Sequence, residues 1–517
     1  MSTIFRYGKD KLTAGKALAI AQGASQGVID EMTREKIIRS AGIVKQIADG
    51  DKAVYGINTG FGPLCTTMIS KEKTTELQHN ILMSHAVGLG APIDDIISKL
   101  MMILKVQALA QGFSGVQEST LDRIIWHIDQ DIIPVVPSQG SVGASGDLAP
   151  LSHLFLPLIG LGYVKVAGKK YTSAEVLSHH EMTSLQLSPK EGLGLINGTQ
   201  FIAAHAVLVV EKMYNLITSA NVTGAMMIEG LLGSVKPFSR ELHELRPFPA
   251  NQYVAQFVLE LLEDSEVVQS HTNCARVQDP YSLRCIPQVH GASLASWLHL
   301  KDLLEIELNA VTDNPVVFDV DHTISGGNFH GQPLAMALDY ACLACSEIGN
   351  ISDRRTYLSL EGDTPGVPKL LLKETGTNSG FMIPQYTSAA LASENKGLCF
   401  PASADSIPTS LGQEDHVSMG SISARKALQV IGNSEKILGI ELFCAAQALD
   451  FHMPLASSRY MAKVHQYVRE SIPHLEKDQI MSEYMEEAIM MVSEGHLKRL
   501  TYNPNSTNPF SDLFEIH

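Results

Sequence analysis

Glycine and serine are most dense at Gly140-Ser-Val-Gly-Ala-Ser-Gly-Asp-Leu-Ala-Pro150. A nucleophile elbow would need G-x-S-x-G, but around Ser145 the pattern reads Gly143-x-Ser-x-Asp147, so the register fails. A phosphate cradle would need Gly-Lys-Ser/Thr to follow, and it does not. Ala144-Ser145-Gly146 allows a third chemistry. Gly146 has no Cβ, so its amide nitrogen can approach the Ala144 carbonyl carbon in a tight bend. Ala144 is small, and Ser145 carries a hydroxyl that can leave. Closing that contact and losing two waters would give a five-membered ring with an exocyclic methylidene. Such a ring is an electrophile built from the chain itself, of a kind no side chain offers. Standing alone, the same tripeptide would be an ordinary turn.

Six further segments carry polar or aromatic groups on loops or at helix ends: Tyr55-Gly-Ile-Asn-Thr-Gly-Phe-Gly62, Ser84-His85-Ala-Val-Gly88, Ile196-Asn-Gly-Thr-Gln200, Val277-Gln-Asp-Pro-Tyr-Ser-Leu-Arg284, Gly326-Gly-Asn-Phe-His330 and Gln413-Glu-Asp-His416, with Asn378-Ser-Gly-Phe-Met382 as a seventh. A phenol of ordinary pKa ~10 can take a proton near neutrality only where its anion is stabilised. A guanidinium three residues after Tyr281 offers a planar fork for a carboxylate. Imidazole can both donate and accept hydrogen bonds.

In family order around Ala-Ser-Gly, these segments resemble the aromatic amino acid ammonia-lyase family, and most nearly its histidine-deaminating branch. The likeness runs from Val54 to about Leu449. It implies a 4-methylideneimidazole-5-one (MIO) group formed autocatalytically from Ala144-Ser145-Gly146, with no exogenous organic cofactor and no metal ligands. It implies Tyr55 as the catalytic base with Tyr281 as rival or auxiliary, Arg284 on the substrate carboxylate, and Asn197 and Gln278 as amides holding the MIO carbonyl and the substrate. Phe329 would line the pocket. Ser84-His85 and Glu414 would read the substrate ring, with Met382 against it, and Glu414 could also share in proton transfer. The implied reaction turns L-histidine into trans-urocanate and ammonia, the first step of histidine degradation. A tyrosine or phenylalanine lyase or an aminomutase of the same family is the alternative. Whether the electrophile captures the amine or attacks the ring stays open. Outside the family stand a fumarase-like lyase without MIO and a helical scaffold that kept the loop.

The 517 residues that must hold these groups are 45% hydrophobic with a net charge of −16. That is ample for a large core, and a negative field excludes nucleic acid as the main partner. Helical periodicity marks 93–112, 200–232, 287–311, 333–360, 415–449, 457–470 and 482–500. Ser410-x-x-Gln413 reads as a capping box that starts a helix near Leu411. Strands are expected at 163–167 and 316–320. The expected fold is predominantly α: a long central helix bundle (fumarase/aspartase-like), with a smaller mixed N-terminal domain carrying the active-site loop. Residues 1–200 form that domain, and 201–517 form the bundle with C-terminal helices. Segments 200–232 and 415–449 are apolar nearly all round, which places them inside a bundle or at a subunit contact; the family implies a homotetramer with shared sites.

Seven cysteines, sparse and odd in number, make no disulfide framework. Cys342 and Cys345 are expected as buried helix residues. The N-terminus lacks a signal-type run, and no stretch of ~18 apolar residues is evident. The expectation is a cytoplasmic enzyme with a small amino acid substrate and no membrane partner. The loop 66–75 is expected to help cover the site.

Overall fold

The computed structural model describes residues 3–50, 53–60, 69, 73–271 and 277–514. Cys65, Cys274 and residues 66–68 and 70–72 of the 66–75 loop lie outside the described residues.

The chain is mostly helix, as expected. The helices that frame the argument are α1 (Glu31–Asp49), α2 (Thr74–His85), α3 (Asp95–Leu109), α4 (Leu148–Phe155), α5 (Glu191–Ile196), α6 (Gln200–Gly230), α7 (Ile286–Glu307), α8 (Gln332–Ser359), α9 (Met382–Leu398), α10 (Gly420–Asp450), α11 (Arg459–Ser471) and α12 (Met481–Ser493). α10 packs along α8 and α6 and also touches α9 and α12; α7 packs on α8, and α3 on α6. One continuous apolar core runs from Phe5 to Phe514. Each fully buried Leu or Ile contributes about 1.5–3 kcal/mol, and α6 alone buries Ile202, Val209, Leu216 and Met227 among many.

The all-round apolar pattern of α6 and α10 is thus explained by burial within their own chain. α6 is also long and apolar enough to cross a membrane by length and composition, although no such run stood out in the sequence, and 78% of its apolar window is buried inside the protein. Exposed apolar side chains lie instead on α8, where Met336, Tyr340 and Leu343 recur at helical spacing. α8 and α10 are pinned by a buried fork: Arg355 Nη2 donates to Glu441 Oε2 at 2.9 Å, and Ser352 Oγ donates to the same oxygen at 2.6 Å. Removing one member would leave a buried charge unpaired, at a cost of about 3–5 kcal/mol.

Three expectations need correcting. α10 does not start near Leu411 but at Gly420. Ser410 and Leu411 sit at φ +49° and +55°, and Ser410 Oγ donates to Glu414 Oε2 at 2.8 Å. The would-be capping residue is spent on a side chain of the loop, not on the helix backbone. The strand at Val316 is two residues long and pairs with Thr323–Ile324; Phe318 N–H turns to His322 O at 3.0 Å and closes a hairpin. The C-terminal helix predicted over 482–500 is interrupted at Gly495, where φ is +72°. The 163–166 strand is present, and Cys342 and Cys345 are buried on α8. Pro384 falls in the first turn of α9, where a missing N–H costs nothing.

A short antiparallel pair, β1 (Leu89–Pro92) and β2 (Pro137–Gln139), matches Leu89 to Gln139. It ties the end of α2 to the loop that follows β2. Gly88 fits there because a Cβ would meet Gln139 O at 3.2 Å and His153 Cδ2 at 3.3 Å.

Candidate active site

The loop after β2 is bent where the sequence suggested. Ser145 and Gly146 are both left-handed, at φ +51° and +80°. A Cβ on Gly146 would stand 2.1 Å from Gly198 O, so only glycine fits. Gly198, itself at φ +119°, grips the bend from both sides. Its N–H donates to Ser145 O at 3.3 Å, and its carbonyl accepts from Asp147 N–H at 2.8 Å. A tripeptide gripped this way fits closure of the Gly146 nitrogen onto the Ala144 carbonyl carbon.

Helix N-termini gather around the bend. Asp147 is fully buried. Its Oδ2 accepts from the first-turn N–H groups of α6, Phe201 at 3.1 Å and Ile202 at 3.0 Å, and Oδ1 accepts from Ser141 Oγ at 3.1 Å. Burial pushes its carboxyl up to about 7, against the pull of those donors. α8 and α10 start at the same point: a Cβ on Gly331 or Gly420 would fall 2.6 or 2.7 Å from Ile202 Cδ1, and both lie beside Ser418 Oγ. Met419 N–H donates to Val142 O at 3.0 Å. α4 begins directly after Asp147. Unsatisfied N–H groups and aligned peptide dipoles make such ends electropositive, so the loop sits where developing negative charge is stabilised.

A cavity of about 630 Å³ opens on this loop, lined by Tyr55, Ala144, Ser145, Asn197, Phe329 and Glu414, and further by Asn314, Ser325, Gly326, Gly327, His330, Gln413, Asp415 and His416. Tyr55 is half-buried in a turn after α1; Gly56, at φ +71°, lets that turn press on Leu193, whose Cδ2 a Cβ would meet at 2.4 Å. Asn197 is buried and donates through Nδ2 to Asn314 O at 2.8 Å; an amide has a second N–H to offer. Glu414 Oε1 accepts from Ser145 Oγ at 3.2 Å. Its Oε2 accepts from Thr409 Oγ1 at 2.7 Å and Ser410 Oγ at 2.8 Å, which fixes the carboxylate. Burial lowers the pKa of His85, the last residue of α2, against the Ile81 backbone carbonyl and, to a lesser extent, the Glu414 charge. Ser84 Oγ lies 3.0 Å from His85 Nδ1 and orients the ring.

His330 and His416 were not singled out in the sequence, although each ends one of the motifs. Their rings stack at 5.6 Å, and His330 Nε2 donates to His416 O at 3.3 Å, steadying the loop that carries Glu414.

Ser84 and His85, at the end of α2, are not among the residues lining this cavity within one chain, and neither are four more expected residues. Gln278 and Arg284 line another, of about 410 Å³, with Lys236, His271 and Asp279. Tyr281 is 71% exposed and stacks under the Arg284 guanidinium, 4.6 Å from ring centroid to cation. Arg284 Nε is buried with no hydrogen-bond partner among the described residues. Met382 is half-buried at the first position of α9 and borders neither cavity. Among the described residues no group of His, Cys, Asp or Glu could hold a metal ion.

Comparison with known proteins gives one consistent result. The aromatic amino acid lyase family matches residues 12–470. The histidine ammonia-lyase of Gloeobacter violaceus is 44% identical over 488 residues, 94% of this chain and 95% of that protein. The crystal structure of histidine ammonia-lyase from Trypanosoma cruzi superposes with a TM-score of 0.90 at 35% identity, over 100% of this chain and 98% of that one. The tyrosine aminomutase of Streptomyces globisporus superposes with a TM-score of 0.91 at 32% identity, over 96% and 98%.

Proposed function

This chain belongs to the aromatic amino acid lyase family and is an ammonia-lyase, and from that premise we propose that it converts L-histidine to trans-urocanate and ammonia on an electrophile made from Ala144-Ser145-Gly146. The carrying observation is the bend at Ser145 and Gly146, gripped by both backbone groups of Gly198. The MIO ring, once formed, supplies an electron-poor methylidene carbon at the Ser145 Cβ.

The chain's own residues do the rest. Tyr55 takes the β-proton; the electropositive helix ends around the loop favour its phenolate form and hold negative charge that develops at the Ser145 carbonyl. Asn197 offers its remaining amide N–H to the substrate side of the cavity. Glu414, held by Thr409 and Ser410, and His85, oriented by Ser84, bind the imidazole N–H and ring nitrogen. Phe329 walls the pocket. Arg284, with Gln278 and Tyr281, binds the substrate carboxylate from a neighbouring copy, whose orphaned Nε awaits an acceptor; Met382 joins the pocket the same way.

This reading requires an oligomer, and we infer a homotetramer with shared sites, supported by the exposed Met336, Tyr340 and Leu343 face of α8. Residues 1–200 act as the domain carrying the electrophile loop, and 201–517 as the bundle that aims the helix ends. The enzyme works in the cytoplasm, as its sparse, free cysteines suggest.

The test is product formation from L-histidine, L-tyrosine and L-phenylalanine, followed by near-UV absorbance and chromatography. Urocanate from histidine, at a kcat/KM at least ~10²-fold above the other two, is expected because a site built to hydrogen-bond its substrate rejects analogues that leave those groups unpaired. Coumarate or a β-amino acid as the main product would overturn the substrate assignment.

A further inference from the structure

Behind the reactive loop lies a cation that the reading above does not use. Lys105 stands in the middle of α3, 1% exposed, among Leu104, Val106 and other buried neighbours. Its ammonium donates to Gly194 O at 3.2 Å and to the backbone carbonyl of Asn197. These are carbonyls of the last turn of α5 and of the residue that ends it. The next residue is Gly198, which grips Ser145 O and Asp147 N–H. The Asn197 side chain is fastened separately, to Asn314 O, and Asn314 N–H donates to Asp313 Oδ1 at 2.7 Å; Asp313 pairs with buried Lys190. Among the described residues, Lys105 is the side chain that holds the Asn197 backbone directly.

A buried ammonium is costly, and carbonyl acceptors alone repay it poorly. Burial pushes Lys105 down to about 7; the charges of Asp313 and Asp147 act to hold its proton, and Lys190 opposes them. Ending a six-residue helix does not need a charge. Fixing a backbone segment against a strained loop does.

We propose that Lys105 is a positioning residue for electrophile formation: it locks the end of α5 so that Gly198 presses on the bent tripeptide and the ring can close. The inference rests on the proposed function. The closure it assists is balanced without any oxidant. The Gly146 nitrogen bonds to the Ala144 carbonyl carbon; that oxygen leaves as water with the amide protons of Gly146 and Ser145, giving a C=N bond. The Ser145 hydroxyl and Cα proton then leave as the second water, giving the methylidene.

The experiment is intact mass of the purified full chain, with circular dichroism and elution volume as folding controls, in wild type, K105M and K105Q. Methionine fills the space without a donor; glutamine keeps an uncharged donor. Folded K105M should contain at least tenfold less of the form lacking two waters than wild type, with K105Q intermediate. A folded K105M carrying the full mass deficit would overturn the proposal. So would failure of both variants to fold, because Lys105 would then serve folding rather than closure. A wild-type chain without the deficit would sink the proposed function itself, which keeps the two failures distinct.

Discussion

The two cavities that hold the chemistry-bearing residues are built in opposite ways. Around Ser145 nearly every polar group has a partner inside the chain: Asp147 caps α6, Gly198 grips the bend, and Glu414 takes three hydroxyl donors. Around Arg284 the groups face outward, with Tyr281 71% exposed and Arg284 Nε without a partner among the described residues. Orphaned buried donors are expensive, which is why the proposed function gives this one an acceptor in the substrate. On the proposed function, the contrast separates a half-site that must be rigid before substrate arrives from one completed by substrate and a second copy.

The sharpest way to break that contrast is at the loop. S145A should lower kcat by at least ~10³-fold, at or beyond the scale of losing a preorganised catalytic group, while the thermal midpoint stays within a few degrees; retained turnover would remove the loop from the chemistry. Y55F should reduce kcat by about 10²–10⁴-fold, the usual worth of a general base, with KM little changed.

R284Q addresses the outward half. Loss of a charge-assisted fork costs about 1.5–3 kcal/mol, a 10–150-fold fall in kcat/KM for histidine. If sites are shared, mixing unfolded S145A and R284Q chains and refolding them together should regain activity that neither has alone, because some sites then draw a good loop and a good arginine from different copies. No regain in demonstrably mixed oligomers would put both halves back in one chain. E414Q should narrow the preference for histidine over tyrosine by about tenfold, since an amide binds an imidazole N–H less strongly than a carboxylate.

The smallest effect concerns the scaffold. Burial lowers His127 and His205 to about 4, and each ring is held by a backbone carbonyl, Ile132 O or Phe201 O. The folded state keeps them neutral, whereas the unfolded chain binds their protons below about 6.5. Stability is therefore present above pH 6.5 and is lost as pH falls from there toward 4. H205Q should make that fall shallower by about 1.4 kcal/mol per pH unit, read by denaturant unfolding across the window.

The sequence made the scaffold legible because long helices must bury a continuous apolar surface, and α6 and α10 announce that with residue type alone. It also marked the Ala144-Ser145-Gly146 bend by residue type, and the fold shows why Gly146 is glycine: Gly198 O leaves no room for a Cβ. It misplaced the start of α10 because Ser410 resembles a cap by type but is consumed by Glu414. It named Gln278, Tyr281, Arg284 and Met382 as site residues, yet within one chain none of them lines the Ser145 cavity; the proposed shared site would account for that. His330 and His416 were visible in their motifs, but only the folded loop reveals that one holds the other's carbonyl. Lys105 gave no signal at all: a lysine in an apolar helix reads as a solvated face until the helix is found buried.

The central claim is that the chain makes its own electrophile, and the most direct measurement is the intact mass of the active wild-type protein beside S145A. The account predicts that wild type is lighter than its sequence by two waters, with the loss confined to the peptide containing Ala144-Ser145-Gly146, and that S145A lacks that deficit. An active wild type whose mass equals its sequence would contradict it.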